Sequence, residues 1–216
     1  MQSFFETELT KLRKRILKML ELVDTQLEKS IQSLHNPDFE MNDLALKNEN
    51  QIDKLDIKID KICQRIFALA QPVATDLRFI MSSLRIGNET ERIGDIAFDI
   101  ISRSETVRSY PDVLKKYKIN KLLKETIKIN KRISEAYANN NSLLAKEIFQ
   151  SCKDLADTCN HVFNEIIGEM TKKSQVITIA TDLILIVRNI ERISNHMENI
   201  ADSIIFIVEG IRIKHS

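Results

Sequence analysis

Apolar residues recur at alternating steps of three and four along nearly the whole chain, and this period narrows the fold more than any other feature. The C-terminal segment shows it best, with Leu183, Ile186, Ile190, Ile193, Met197, Ile200, Ile204, Ile207 and Ile211. An earlier segment repeats it through Ile52, Leu55, Ile59, Ile62, Ile66 and Leu69, and another through Ile148, Cys152, Leu155, Cys159, Val162 and Ile166. Such spacing lays one stripe of a helix against its neighbours, whereas a strand would alternate every second residue. Four Gly, three Pro and no Trp in 216 residues leave little turn chemistry for a β fold, so the chain is predicted to be all-α.

The prolines fall at the edges of the periodic segments, as Asn36-Pro37, Gln71-Pro72 and Tyr110-Pro111, where Pro can occupy a first helical turn. Asn139-Asn140-Asn141-Ser142 and the polar 171–174 stretch supply two further breaks. Six helices are predicted, near 2–35, 38–70, 73–109, 112–138, 142–170 and 174–211. At about 1.5 Å per residue the third is roughly 55 Å long, a length that only an elongated bundle accommodates. Short connections make successive helices antiparallel neighbours.

An internal repeat marks the third helix of each half. Glu91-Arg92-Ile93-Gly94-Asp95 matches Glu191-Arg192-Ile193-Ser194-Asn195 at an offset of 100 residues. The chain is therefore divided into two three-helix units, 1–110 and 111–216.

Lys and Arg number 32 against 31 Asp and Glu, so no global field draws the chain to nucleic acid or to an anionic membrane. Cys63, Cys152 and Cys159 have neither zinc-finger nor CxxC spacing, and Cys152 and Cys159 fall on an apolar stripe as small hydrophobes. The N-terminal Met-Gln-Ser-Phe-Phe-Glu lacks a signal-peptide pattern, and apolar runs such as 203–208 fall short of the roughly 20 residues that span a bilayer. A soluble, cytoplasmic protein is expected.

Two sets of acids could carry chemistry. Glu49 with Asp53, and Asp56 with Asp60, step by four along one flank of the second helix, while Glu91, Asp95 and Asp99 do the same on the third. Acids from two adjacent helices can converge oxygens suited to Mg²⁺, Mn²⁺, iron or Ca²⁺. They can equally form a solvated acidic face. The row Leu77, Met81, Leu84, Asn88, Glu91, Asp95 turns from apolar to acidic midway, which favours a partly sheltered cation, and Gly94 fits something packed closely there. A row on the fifth helix, Asp154, Asp157, His161 and Glu165, reads as a solvated face.

Between Pro111 and Ile133 stand eight basic residues and two acids. Lys121, Lys124 and Lys128 are the candidate docking row for an acidic partner or membrane face, against the simpler reading of a solvated helix surface. Gly-x-Gly-x-x-Gly, Walker A, Gly-x-Ser-x-Gly and His-Glu-x-x-His patterns are absent, so no enzymatic activity is expected. A carboxylate-bridged di-iron protein is the main enzyme alternative. It lacks its Glu-x-x-His pairs here, since Gln32, Thr158, Ile193 and Arg212 stand three before the four histidines. A purely structural helical scaffold is the other.

Gln71-Pro72-Val73-Ala74-Thr75-Asp76-Leu77-Arg78, followed by Glu91-Arg92-Ile93-Gly94-Asp95-Ile96-Ala97, resembles the central signature of the PhoU family. The resemblance implies two antiparallel three-helix bundles related by a pseudo-twofold. It also implies a negative regulator of phosphate uptake and phosphate-starvation signalling, a homodimer that joins the phosphate ABC transporter to a sensor histidine kinase and meets the membrane only through those partners. It further implies bound metal, Mg, Mn, Fe or Zn, with Glu49, Asp53, Glu91 and Asp95 as ligands of the first repeat. In the second repeat Glu191 is retained as a weaker ligand. Asn195 replaces the acid expected beside it, and Cys152 and Ala156 align with Glu49 and Asp53.

Overall fold

The computed structural model describes residues 2–36, 39–172 and 177–213. Seven helices follow one another: α1 (Gln2–Ser33), α2 (Phe39–Leu69), α3 (Ala74–Arg108), α4 (Pro111–Lys116), α5 (Ile119–Asn139), α6 (Ser142–Met170) and α7 (Ile177–Glu209), with no strand among the described residues. α1, α2 and α3 pack as one three-helix bundle and α5, α6 and α7 as the other, joined through α3 against α7 and α1 against α5.

The predicted stripes form the core except at their C-terminal ends, where Leu69 and Ile211 are exposed. Ile52, Ile59, Ile62 and Ile66 of α2, Ile148, Cys152, Leu155 and Cys159 of α6, and Leu183, Ile186, Ile190, Ile193 and Met197 of α7 are all buried. Cys63 is buried as well, so all three thiols are interior and burial pushes each up to about 12. The asparagine cluster divides its work between two helix ends. Asn140 closes α5 in the left-handed conformation (φ 48°), and the Asn141 side chain accepts from Leu144 N at 3.0 Å to cap α6.

The fourth predicted helix is broken. Lys118 takes a left-handed conformation (φ 53°) between α4 and α5. Leu114, Tyr117, Ile119 and Leu122 are all buried, and the two-residue step from Tyr117 to Ile119 cannot lie on one stripe of a continuous helix. The prolines also differ from one another: Pro111 opens α4 as predicted, Pro72 precedes the Val73 N-cap of α3, and Pro37 lies outside the described residues.

The two repeats meet about a pseudo-twofold that can be read in single hydrogen bonds. Asn199 donates to Glu89 at 3.0 Å, and Asn189 donates to Asp99 at 2.7 Å. Glu89 and Asn189 are repeat equivalents at the offset of 100, as are Asp99 and Asn199, so the two pairs exchange under the pseudo-twofold, with α3 supplying both acids and α7 both amides. The crossed order also fixes α3 and α7 as antiparallel. His196 adds a second contact to Glu89 at 2.7 Å.

On the other seam, Arg13 of α1 donates to the carbonyls of Tyr137 (3.0 Å) and Ala138 (3.1 Å) at the end of α5, which suits a cation at a helix C-terminus. The fully buried Tyr137 stacks with Phe79 and shares a 2.8 Å hydrogen bond with Ser83. Tyr137→Phe should therefore cost about 1 kcal/mol through the lost hydrogen bond, and Tyr137→Ala roughly 3–5 kcal/mol through the cavity. Urea unfolding followed by circular dichroism measures both.

Candidate functional site

Close packing between α2 and α3 assembles the acidic cluster. A Cβ on Gly94 would stand 2.9 Å from Ile52 Cδ1, and one on Gly87 3.3 Å from Ile59 Cγ2, so both glycines let the helices approach. The acids flanking this seam converge as the sequence predicted. Asp53, Glu91 and Asp95 each bring a carboxylate oxygen within 4.8 Å of the other two. Glu49 joins by hydrogen-bonding Asp95.

The cluster is short of positive charge. Among the described residues, Arg92 is the basic group that reaches it, at 3.4 Å from Glu91 and 3.5 Å from Asp95, and its side chain is largely exposed. Burial first, then the charges of Asp95 and Asp53, push the Glu49 carboxyl up to about 7. Burial likewise raises Glu91, with Asp95 as the next cause, and Asp56, with Asp60 next. Asp95 is raised by burial while Arg92 pulls the other way. A protonated Glu49 then donates to the Asp95 carboxylate, which keeps two like charges from facing each other.

Two buried oxygens, Glu49 Oε2 and Asp56 Oδ1, have no hydrogen-bond partner. Buried polar atoms are rarely left so. Unsatisfied hard oxygens beside an undercompensated carboxylate cluster fit a cation held by Glu49, Asp53, Glu91 and Asp95. Asp56, placed by its four-residue step with Asp60 on the same flank but not among the expected ligands, belongs with this group; its Oδ1 lies 3.6 Å from where a Gly87 Cβ would be. One part of the sequence argument is corrected. Leu77 and Met81 are 42% and 50% exposed, so the row leading to Glu91 faces solvent, and the shelter comes from α2 instead.

Among the described residues the second repeat gathers no comparable group of acids. Ser194 stands where Gly94 stands and donates to Cys152 O at 2.7 Å, whereas Gly94 packs on Ile52, so Cys152 stands opposite Ile52 at the offset of 100 and the expected alignment of Cys152 and Ala156 with Glu49 and Asp53 is corrected. The same register puts Phe149 and Lys153 where the first repeat has Glu49 and Asp53, and Ala156 and Asn160 where it has Asp56 and Asp60. Arg188 takes the place of Asn88. Its guanidinium lies 3.8 Å over the Phe163 ring, donates to Asn160 Oδ1 at 2.9 Å and pairs with Glu191. Glu191 is therefore already neutralised by an internal cation and is not gathered with other acids. Asp154, Asp157, His161 and Glu165 form no such cluster either, and His161 reaches Glu165 at 3.4 Å with its side chain 76% exposed.

The basic stretch splits into two sets. Lys128 pairs with Glu125 at 3.3 Å, whereas Lys121 and Lys124 line a groove at the α4–α5 break.

A PhoU domain model matches residues 16–104 and 119–204, covering most of both bundles. The chain belongs to the PhoU family. It is 28% identical over 211 residues to the phosphate-specific transport system accessory protein PhoU of Serratia marcescens, covering 98% of this chain and 87% of that one. It is 26% identical to the Escherichia coli K12 protein of the same name, with 98% and 88% covered. The crystal structure of PhoU from Pseudomonas aeruginosa superposes with a TM-score of 0.89 at 27% identity, covering 96% of this chain and all of that one. A phosphate transport system regulatory protein PhoU from Streptococcus pneumoniae shares the fold with a TM-score of 0.87 at 23% identity over 97% of this chain. These PhoU relatives bear the names of accessory and regulatory proteins, in line with the absence of catalytic motifs.

The Glu49 shift gives the metal-free protein a signed pH dependence. Its carboxyl rises from an ordinary 4.5 to about 7 on folding, so its contribution is fully present below pH 4.5 and is lost as pH rises through about 7. In EDTA, the melting temperature of the wild type should fall between about pH 5 and pH 8 more than that of Glu49→Gln, whose amide does not ionise. Parallel curves for the two proteins would remove Glu49 as the cause.

Proposed function

We propose that this chain is an accessory protein of a phosphate-specific transport system that restrains phosphate uptake and phosphate-starvation signalling. In this reading it acts as a cytoplasmic homodimer that links the phosphate ABC transporter to a sensor histidine kinase, with its repeats divided after Tyr110. The observation that carries the reading is near-complete coverage by relatives that bear that accessory name. Two further observations agree with it. No helix among the described residues is long and apolar enough to cross a membrane, so membrane contact runs through the partners. The formal net charge of +1 gives no basis for nucleic-acid binding.

Metal completes the proposal. Glu49, Asp53, Glu91 and Asp95 would hold the ion, with Asp56 beside them. Their all-oxygen donor set favours Mg²⁺, Mn²⁺ or iron over zinc, which more often takes nitrogen and sulfur. The bound ion neutralises the cluster and ties α2 to α3, making this face of the first repeat rigid for a partner to read. Glu191 contributes little because Arg188 already satisfies it.

Deleting the gene should raise phosphate uptake or switch on phosphate-starvation genes in phosphate-replete cells. An unchanged response, with transporter and kinase present, would defeat the regulatory reading. In the purified protein, Glu91→Gln with Asp95→Asn should abolish most bound metal by elemental analysis, together with most metal-dependent thermal stabilisation. Glu191→Gln should leave both nearly unchanged. Equal losses in the two variants would mean that the second repeat supplies ligands too.

A further inference from the structure

Lysines converge where α4 breaks into α5. A groove of about 590 Å³ is lined there by Lys115, Lys118, Lys121 and Lys124, with His35 and Leu114 among the other walls. Among the described residues its lining contains no acid and no arginine. None of these four lysines has a carboxylate within ion-pair distance among the described residues.

The rest of the same stretch behaves differently. Lys116 pairs with Glu169, Lys128 with Glu125, Lys131 with Glu28 and Arg132 with Glu147. The eight basic residues between Pro111 and Ile133 thus divide into four that pair with an internal carboxylate and four that line this groove without an ion pair among the described residues, Lys118 and Lys121 also bordering a second groove that holds Glu125, Asp154 and Glu165. Like charges three residues apart on a helix repel, and the fold holds these lysines together although it contains nearly as many acids as bases.

We infer that this groove binds an oligophosphate chain, either inorganic oligophosphate or the phosphate tail of a nucleotide. The volume lies within the range of small-ligand sites. Lys121 and Lys124 lie about one turn apart on α5, Lys118 sits at the left-handed break and Lys115 on α4, so four cations meet one groove from both sides of the break. Four cations suit successive phosphoryl groups better than a single orthophosphate. Ammonium groups are compact point charges with rotatable donors and can meet oxygens pointing in any direction, whereas carboxylates are matched best by the planar fork of arginine. α5 also begins here with no acid in its first turn and no side-chain cap, so its positive end adds to the same field. This site does not depend on the acidic cluster or on the regulatory role proposed above.

The test is calorimetric titration of the purified full-length chain with sodium tripolyphosphate, ATP and orthophosphate at about 0.15 M salt, without added metal. One equivalent of tripolyphosphate should bind at least about tenfold more tightly than orthophosphate. Lys121→Gln with Lys124→Gln should weaken it at least about tenfold, while Lys128→Gln with Lys131→Gln should change it less than about twofold, all with unaltered helicity and melting temperature. Lys115→Gln alone gives a milder check should the double variant lose its fold. ATP binding as tightly as tripolyphosphate supports the site and assigns recognition to the phosphates, and tighter ATP binding supports it and adds the nucleoside. Equal affinity for sulfate, or equal losses in the two double variants, overturns the proposal. Polyglutamate binding better than tripolyphosphate, and lost with Lys121 and Lys124, also overturns it and makes the groove a docking face for an acidic polypeptide. Because every arm uses the isolated protein, failure here leaves the transporter reading standing, and the reverse holds too.

Discussion

The antiparallel contact of α3 with α7 is the joint on which the molecule depends. Each helix is the inner member of its own bundle and must bury one stripe within that bundle and another against its counterpart. Ile86, Ile93, Ile100 and Ile186, Ile193, Ile200 are fully buried at equivalent positions, so the apolar part of the joint is nearly self-complementary. Hydrophobic burial is non-directional and would tolerate sliding by a turn. The reciprocal acid–amide pairs, Glu89 with Asn199 and Asp99 with Asn189, supply what burial lacks, because either pair is broken by a shift in register.

With that joint fixed, the outer helices are free to differ, and the repeats have diverged where α2 and α6 lie on them. In the first, Gly94 and Gly87 bring α2 close and four to six carboxylates crowd the seam. In the second, Phe149, Lys153, Ala156 and Asn160 take the acidic positions and Arg188 brings a covalently attached cation. An arginine stacked on a ring and paired with Glu191 is a permanent solution to the charge problem. The first repeat has no such group, and its charge depends on protons or on an ion from solution. The same fold therefore offers one repeat whose electrostatics respond to conditions and one whose electrostatics do not.

The sequence made the helices, most breaks and the acid cluster legible because each rests on short-range spacing. The stripe from Leu183 to Ile207 is a single-helix property, and the Asn140–Asn141 break follows from side chains acting on their own backbone. Glu49, Asp53, Glu91 and Asp95 could be grouped because two adjacent helices repeat a four-residue step. Other features were hidden because their partners come from far along the chain. The exposure of Leu77 and Met81 depends on which flank of α3 meets α2. The break at Lys118 depends on burying both Tyr117 and Ile119, with the Tyr117 hydroxyl donating to Glu169 on α6 at 2.7 Å.

The lysine stretch shows the same limit most sharply. Composition alone describes Lys115 to Arg132 as one basic run, and any three members look equivalent. Tertiary structure assigns them opposite fates, because Glu28, Glu147 and Glu169 arrive from α1 and α6 to neutralise one set while no acid among the described residues pairs with the other. Near-neutral net charge then becomes a statement about averages only. An acidic seam on α2 and α3 and a cationic groove at the start of α5 coexist in one chain. Each retains charge that the fold had the residues to cancel, which is the physical reason to seek a ligand at both.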